Sequence, residues 1–241
     1  MTWYLALDTA TDRGSVAVGR PGVVASEVMV GARRHAAALT PSVEEALQLA
    51  GLRQSDLSGI IVADGPGSFT GVRIGFATVQ GIVRQSPELA VSTAPSLLAA
   101  ARLAAPFSSG AIAALYDALR GEVYAAVYRF APKEMQVIVP PRLTTVAALR
   151  ESGVKADVAV GDGAALFAEE VRAWTGRDPV PPPAGGPRAS GLIELLGVPG
   201  ALRPLDDVST WEPDYGRPAE AQARWERAHG KPLPGSISDP R

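Results

Sequence analysis

The chain predicts a mixed α/β fold made of two related halves, and three observations carry that expectation. Short apolar runs rich in β-branched residues alternate with longer segments of helical spacing. Of the 241 residues, 46% are hydrophobic, enough for a sizeable core. A turn-rich break, Pro106-Phe107-Ser108-Ser109-Gly110, separates two stretches that each begin with strands and end in alternation. The expected halves are therefore residues 1–106 and 107–241, a duplicated unit without a visible sequence repeat.

Each element follows from local pattern. Trp3 to Leu7 reads as a strand ending at Asp8-Thr9; Gly14 to Val18 follows the polar turn Thr11-Asp12-Arg13, and Val23 to Val30 follows Pro21-Gly22. From His35 to Ala50 the spacing turns helical, with Leu39, Val43, Ala46, Leu47 and Ala50 on one face and Gly51 as the stop. Pro41 either starts this helix or kinks it. A strand at Gly59 to Ala63, a glycine-rich turn with its helix, a strand near Leu89 to Ser92 and an alanine-rich helix from Pro95 to Ala105 give the order βββαβαβα. In the second half, Ala111 to Tyr116, Glu122 to Phe130 and Met135 to Val139 read as strands, Thr144 to Glu151 as a helix, Val158 to Val160 as a buried strand and Ala164 to Thr175 as one helix. A proline-rich linker, Pro181 to Pro187, leads to a helix from Ala189 to Leu196, and the tail from Pro199 crosses back over the body or frays.

Composition excludes several classes of function. With 23 basic and 25 acidic residues the net charge is -2, so no basic field binds nucleic acid unaided, and a partner is expected to supply cations if RNA is involved. The absence of cysteine removes thiol catalysis, disulfides and cysteine metal sites. No apolar run approaches the roughly 18 residues of a membrane span, and Met1-Thr2-Trp3-Tyr4 lacks a signal-peptide pattern, so the expectation is a cytoplasmic protein that does not span a membrane.

The most distinctive segment is Gly65 to Gly75, GPGSFTGVRIG, between the strand Ile60-Ile61-Val62-Ala63 and the helix that continues through Val83. A glycine turn ahead of a helix suggests phosphate binding. The segment lacks the Gly-Lys-Ser/Thr of a Walker loop, however, and Thr70 stands where a dinucleotide fingerprint needs its third glycine. On the helix, Gly71, Gly75, Thr78 and Ile82 form a stripe, with Ala77 and Gly81 beside it. Interior helical glycine costs about 1 kcal/mol against alanine, so the stripe implies close approach by another helix, either an internal neighbour or a second subunit.

Four segments in order carry a family resemblance: Leu5 to Thr11 with Ser15 to Val18; His35 followed by Leu39 and Pro41; Gly65 to Gly75; and Asp117-Ala118-Leu119-Arg120-Gly121-Glu122-Val123-Tyr124. A fainter fifth is Pro213-Asp214-Tyr215-Gly216-Arg217. Together they resemble the TsaB, or YeaZ, family, subunits of the bacterial tRNA threonylcarbamoyladenosine machinery. The resemblance implies an ASKHA (actin/hexokinase/Hsp70-like) fold with two βββαβα-type halves and mixed sheets. It also implies a non-catalytic scaffold that pairs with TsaD, works with TsaE, meets tRNA indirectly through the complex, and forms a homodimer when alone. The assembly moves threonylcarbamoyl from its adenylate to the adenosine beside the anticodon. The implied partner surface is Leu39, Val43, Gly71, Gly75, Thr78 and Ile82, and the candidate nucleotide-proximal residues are Asp8, Thr9, Gly67, Ser68, Thr70 and Arg73. No intrinsic cofactor is implied, with ATP or ADP expected only at the complex junction. Leu119 and Gly216 stand where the family usually has arginine and leucine, which removes those side-chain contacts.

Other chemistries have weaker support in the residues. Asp8 faces phosphate in ASKHA proteins, yet Asp-Thr after a strand is also an ordinary turn pair. Metal binding at His35 lacks a second ligand four residues on, where Leu39 stands, and the other histidine is His229. Asp117 and Glu122 flank a tight turn and are better placed to bond backbone N–H groups than to act as an acid/base pair. Trp211, Tyr215 and Trp225 are too irregularly spaced for a nucleic-acid ladder, and Arg33-Arg34 reads as a solvated turn. There is no HExxH, no Gly-x-Ser-x-Gly elbow and no close histidine pair, so a peptidase activity has no chemical support, and an ATP-binding ASKHA enzyme is the alternative reading.

Overall fold

Two sheets share one layer of helices between them. The computed structural model describes residues 2–31, 34–131, 134–181, 186, 188–211 and 228–230, apart from the side chain of His35. In the first part, β1 (Trp3–Asp8), β2 (Gly14–Arg20) and β3 (Val23–Val30) form an antiparallel meander, followed by α1 (His35–Leu49), β4 (Leu57–Ala63), α2 (Phe69–Gln85), β5 (Ala90–Ala94) and α3 (Ser96–Ala104). The second part contains β6 (Ala111–Asp117), β7 (Val123–Ala131), β8 (Glu134–Thr144), α4 (Val146–Glu151), β9 (Val158–Val160), α5 (Asp162–Leu166) and α6 (Ala168–Thr175), then α7 (Ala189–Glu194) and β10 (Arg203–Leu205). The sheet orders are β10-β5-β4-β1-β2-β3 and β8-β7-β6-β9.

Duplication, invisible as a sequence repeat, is plain in the pairing. In each half a three-strand antiparallel meander is followed by a strand that returns parallel beside the first one: β4 beside β1, and β9 beside β6. This is the ASKHA arrangement of two α/β halves with mixed sheets.

The alternation of side chains along β1 shows how the layers form. Leu5 and Leu7 point outward into a core shared with Leu39, Val43 and Leu47 of α1 and Val72, Phe76 and Val79 of α2. Ala6 points inward, with Ala17 and Ile61, against α3, α7 and the facing side of the second sheet. A third core lies beyond that sheet, under α4 and α6, around Leu115, Val127, Leu149 and Val171. The helix α3 is alanine-rich because it is sandwiched between two sheets, and Ala99, Ala100 and Ala101 are all buried there. Close helix approach also occurs in this layer: a Cβ on Gly191 of α7 would lie 2.5 Å from the carbonyl oxygen of Ala99.

Three expectations are corrected, and one left open, the place of Pro41, is decided. The stretch Ala164 to Thr175 is two helices, because the chain bends at Phe167 (φ −106°, ψ 41°), which packs into the third core. The strand expected over Met135 to Val139 extends through Pro140-Pro141 to Thr144, since β8 is an edge strand and the two prolines fall at the irregularity between the Val127–Val139 and Ala125–Arg142 pairs, where residues without an N–H are tolerated. Pro41 lies inside α1. The division at residue 106 also fails for the last elements: β10 pairs with β5, α7 packs on the first sheet, and Trp211 stacks on Phe76, so residues 189–211 complete the first half. Arg33, Tyr215, Trp225 and the motif at 213–217 lie outside the described residues. Among the described residues no helix is long and apolar enough to cross a membrane.

Candidate functional site

The glycine segment is held against the end of β1. The Ser68 N–H donates to the Ala10 carbonyl at 2.6 Å, and the Ser68 side chain caps α2 by accepting from the Gly71 N–H at 3.1 Å. Added Cβ atoms would lie 2.0 Å from the Ala10 oxygen at Gly67, 2.1 Å from the Thr9 carbonyl oxygen at Gly71 and 2.6 Å from Thr9 Oγ1 at Gly75. At Gly67 and Gly71 the obstacle is backbone and no side chain fits, whereas at Gly75 the Thr9 side chain would have to give way. The same device recurs in the second half, where Cβ atoms at Gly161 and Gly163 would lie 2.0 Å from the Leu115 oxygen and 2.8 Å from the Tyr116 carbonyl carbon. Each half thus seats its glycine turn on the first strand of its own meander.

Three carboxylates, at the ends of β1 and β6 and at the start of α5, occupy backbone donors. Asp8 Oδ1 accepts from the Ala10 N–H at 3.0 Å, and Asp117 Oδ1 from the Leu119 N–H at 2.8 Å. Asp162 Oδ1 accepts from the N–H groups of Asp117 (3.1 Å) and Gly163 (2.8 Å). Burial pushes the Asp162 carboxyl above its ordinary value; its two backbone bonds oppose this, and nearby Asp117 and Asp12 add to it. Burial likewise raises Asp8, against hydrogen bonds from Ser96 and Ala10, with Glu27 and Asp64 reinforcing the rise. The N–H groups of Ala10, Leu119, Asp117 and Gly163 are thus occupied by carboxylates of the same chain. The turn itself is unusual: Leu119 and Arg120 have φ of 65° and 57°, a left-handed pair outside glycine.

The candidate residues separate into two groups by exposure. Asp8 and Thr9 are buried, Gly67 faces Ala10, Ser68 is the α2 cap, and Thr70 and Arg73 point to solvent, Arg73 lying over the Phe69 ring at 4.0 Å. They do not converge on one pocket. Of the expected partner surface, Leu39 and Val43 are core residues, and Gly71 and Gly75 face Thr9, so these four are not accessible in this fold. Thr78 and Ile82 remain half-buried at the border of the outer face. The face that α2 does expose consists of Phe69, Thr70, Arg73, Ala77, Gly81 and Arg84, beside the exposed Ala36, Ala37 and Thr40 of α1. At Gly81 nothing lies within 4 Å of an added Cβ.

Residues 21–173 match the family model of TsaD, described as tRNA N6-adenosine threonylcarbamoyltransferase. Over 226 residues the chain is 31% identical to the tRNA threonylcarbamoyladenosine biosynthesis protein TsaB of Bacillus subtilis, covering 91% of this chain and 96% of that one. The chain belongs to the TsaB family. TsaB of Escherichia coli is 36% identical over 129 residues, about half of each chain (52% and 54%). Among solved structures, a Pseudomonas aeruginosa protein described as similar to the peptidase YeaZ aligns with a TM-score of 0.67 at 28% identity, covering 90% of this chain and all of that one. YeaZ of Pseudomonas aeruginosa aligns with a TM-score of 0.62, over 82% of this chain and 91% of that one. The TsaB family is named for tRNA threonylcarbamoyladenosine biosynthesis, and its fold is the one described above.

Sequence reasoning missed Ser96, Tyr116 and Asp162. Ser96 opens α3 and is hydrogen-bonded to Asp8, while the Tyr116 hydroxyl reaches Ser96 from the second sheet. Only Asp162 had a readable signal, a Gly-Asp-Gly after a buried strand that parallels the first glycine turn. Among the described residues no cluster of three or more His, Cys, Asp or Glu side chains is arranged to hold a metal ion.

Proposed function

We propose that this protein is a non-catalytic scaffold subunit that binds TsaD and, with TsaE, supports threonylcarbamoyl transfer to the tRNA adenosine beside the anticodon. The observation that carries the reading is the outer face of α2, where an open Gly81 and the small Ala77 lie between Phe69, Arg73 and Arg84. A flat face of small residues lets a second helix approach closely, and the charged ends set its register. The same face serves self-pairing when the partner is absent. Family membership supplies the pathway; carboxylates that occupy their neighbouring backbone N–H groups speak against phosphate chemistry on this chain, so ATP or ADP is expected only where TsaD contributes groups. Contact with tRNA is through the complex, in keeping with the net charge of -2.

The test replaces Gly81 by Trp. The variant should fold with undiminished stability and lose co-elution with TsaD and stimulation of tRNA modification in a mixture with TsaD and TsaE. Undiminished pairing refutes the surface. The alternative, an ATP-binding ASKHA enzyme, requires tight magnesium-dependent ATP binding with turnover by the isolated chain; calorimetry is expected to show neither.

A further inference from the structure

One polar chain runs from the first sheet through the central helices to the second sheet, and its wiring depends on a single proton. Asp8 ends β1, Ser96 begins α3 and Tyr116 lies on β6; their exposures are 2%, 0% and 1%. Ser96 Oγ is 2.5 Å from Asp8 Oδ2 and 2.9 Å from the Tyr116 hydroxyl, which is itself 3.0 Å from the Ser96 carbonyl oxygen.

The hydrogens can be counted. With Asp8 ionised, the serine hydrogen goes to the carboxylate, and the one tyrosine hydrogen is shared between Ser96 Oγ and the Ser96 carbonyl. With Asp8 protonated, Asp8 Oδ2 donates to Ser96 Oγ, Ser96 donates to the tyrosine oxygen, and Tyr116 donates to the Ser96 carbonyl. Every hydrogen then has its own acceptor, and Asp8 Oδ1 keeps the Ala10 N–H.

The charged surroundings agree with the second wiring. Glu27 and Asp64 act on Asp8, while Asp162 and Tyr128 act on Tyr116; all of these oppose further negative charge. The nearby arginines are already engaged, Arg188 with Glu27 and Arg203 with Asp64. Burial raises the Tyr116 hydroxyl well above its ordinary value, so it stays a donor.

We propose that Asp8 is held as the neutral acid in the folded protein, and that Asp8–Ser96–Tyr116 is a proton-dependent clasp joining the two halves across α3. Loss of the proton leaves a buried anion without a cation of its own among the contacts described and weakens the bond from Tyr116 by dividing it.

Difference infrared spectroscopy of the full chain tests this. The protonated-carboxyl band of Asp8 should persist above about pH 5, where ordinary aspartates are ionised, and be missing in Asp8→Asn. Should Asp8→Asn not fold, Ser96→Ala assigns the same band by shifting it. Tyr116→Phe removes the acceptor for the serine hydrogen, turns that hydrogen back to Asp8 and should make the band vanish at a lower pH than in the parent. A merely structural tyrosine would not move the titration. A band that titrates with the ordinary carboxyls, or one that Tyr116→Phe leaves unchanged, overturns the proposal.

Discussion

Three glycines on one helix should respond to alanine in opposite directions. At Gly81 the added methyl meets nothing within 4 Å, so only helix propensity acts and Gly81→Ala should stabilise by about 1 kcal/mol. At Gly75 the same propensity gain is set against a Cβ 2.6 Å from Thr9 Oγ1, a side-chain atom that is buried and cannot swing into solvent. Overpacking of this kind costs about 1–3 kcal/mol, so Gly75→Ala should be near neutral to about 2 kcal/mol destabilising. At Gly71 the obstacle is the backbone carbonyl of Thr9 at 2.1 Å, which moves only if β1 and α2 separate, and the loss should reach the top of that range or exceed it. Urea denaturation checks the order: midpoints should rise for Gly81→Ala, fall modestly for Gly75→Ala and fall most for Gly71→Ala, at constant slope. If Gly71→Ala is as benign as Gly81→Ala, the glycines do not serve packing on β1.

Other consequences follow from single contacts. Trp211→Ala should remove the stack on Phe76 and lower stability by about 2 kcal/mol, less than a fully buried tryptophan because the ring is half exposed; near-ultraviolet circular dichroism and urea midpoints report it. Arg203→Ala should cost more than the exposed position of the arginine suggests, since it removes an ion pair from the buried Asp64 carboxylate; the comparison is Arg172→Ala, whose ion pair with Asp178 is exposed on both sides and should cost next to nothing. Asp162 has a folded-state value above its unfolded one, so its contribution to stability is greatest at acid pH and declines as pH rises from about 4 through the folded value. The urea midpoint of Asp162→Asn, which retains an oxygen acceptor for the Asp117 and Gly163 N–H groups, should therefore gain on the parent as pH rises; a constant difference between the two would reject the sign.

The sequence makes the order of strands and helices legible because the meanders and amphipathic helices obey simple periods: spacing puts Leu39, Val43 and Leu47 on one helix face, which the fold buries inside the subunit, so Leu39 and Val43 cannot form the expected partner surface. What lay beyond reach was which surface each face meets. The glycines of α2 were read as a bare face for another helix, whereas Gly71 and Gly75 meet Thr9, more than sixty residues away in the chain. Spacing reports that a backbone must be approached closely but carries no information about what approaches it. The return of β10 to β5 was hidden for a related reason: three residues containing a proline have no strand signature, and their pairing is decided by an open edge formed more than a hundred residues earlier. Ser96 and Tyr116 gave no signal because a serine after proline and a tyrosine in a strand are ordinary until two sheets bring them together.

The division of labour among the glycines now bears on function. Gly67, Gly71 and Gly75 are required by intrachain geometry, and each would collide with Thr9 or Ala10 if it carried a side chain. Gly81 has no such reason: it lies two turns further along α2, exposed, with open space around it, where the fold alone would favour alanine by about 1 kcal/mol. A helix that bears that cost on its solvent side, beside Ala77 and bracketed by Arg73 and Arg84, is accounted for by a surface that must stay flat for a neighbour. The inner glycines build the subunit; if the outer one serves the proposed pairing with TsaD, stability and TsaD binding should part company at Gly81 and fall together at Gly71.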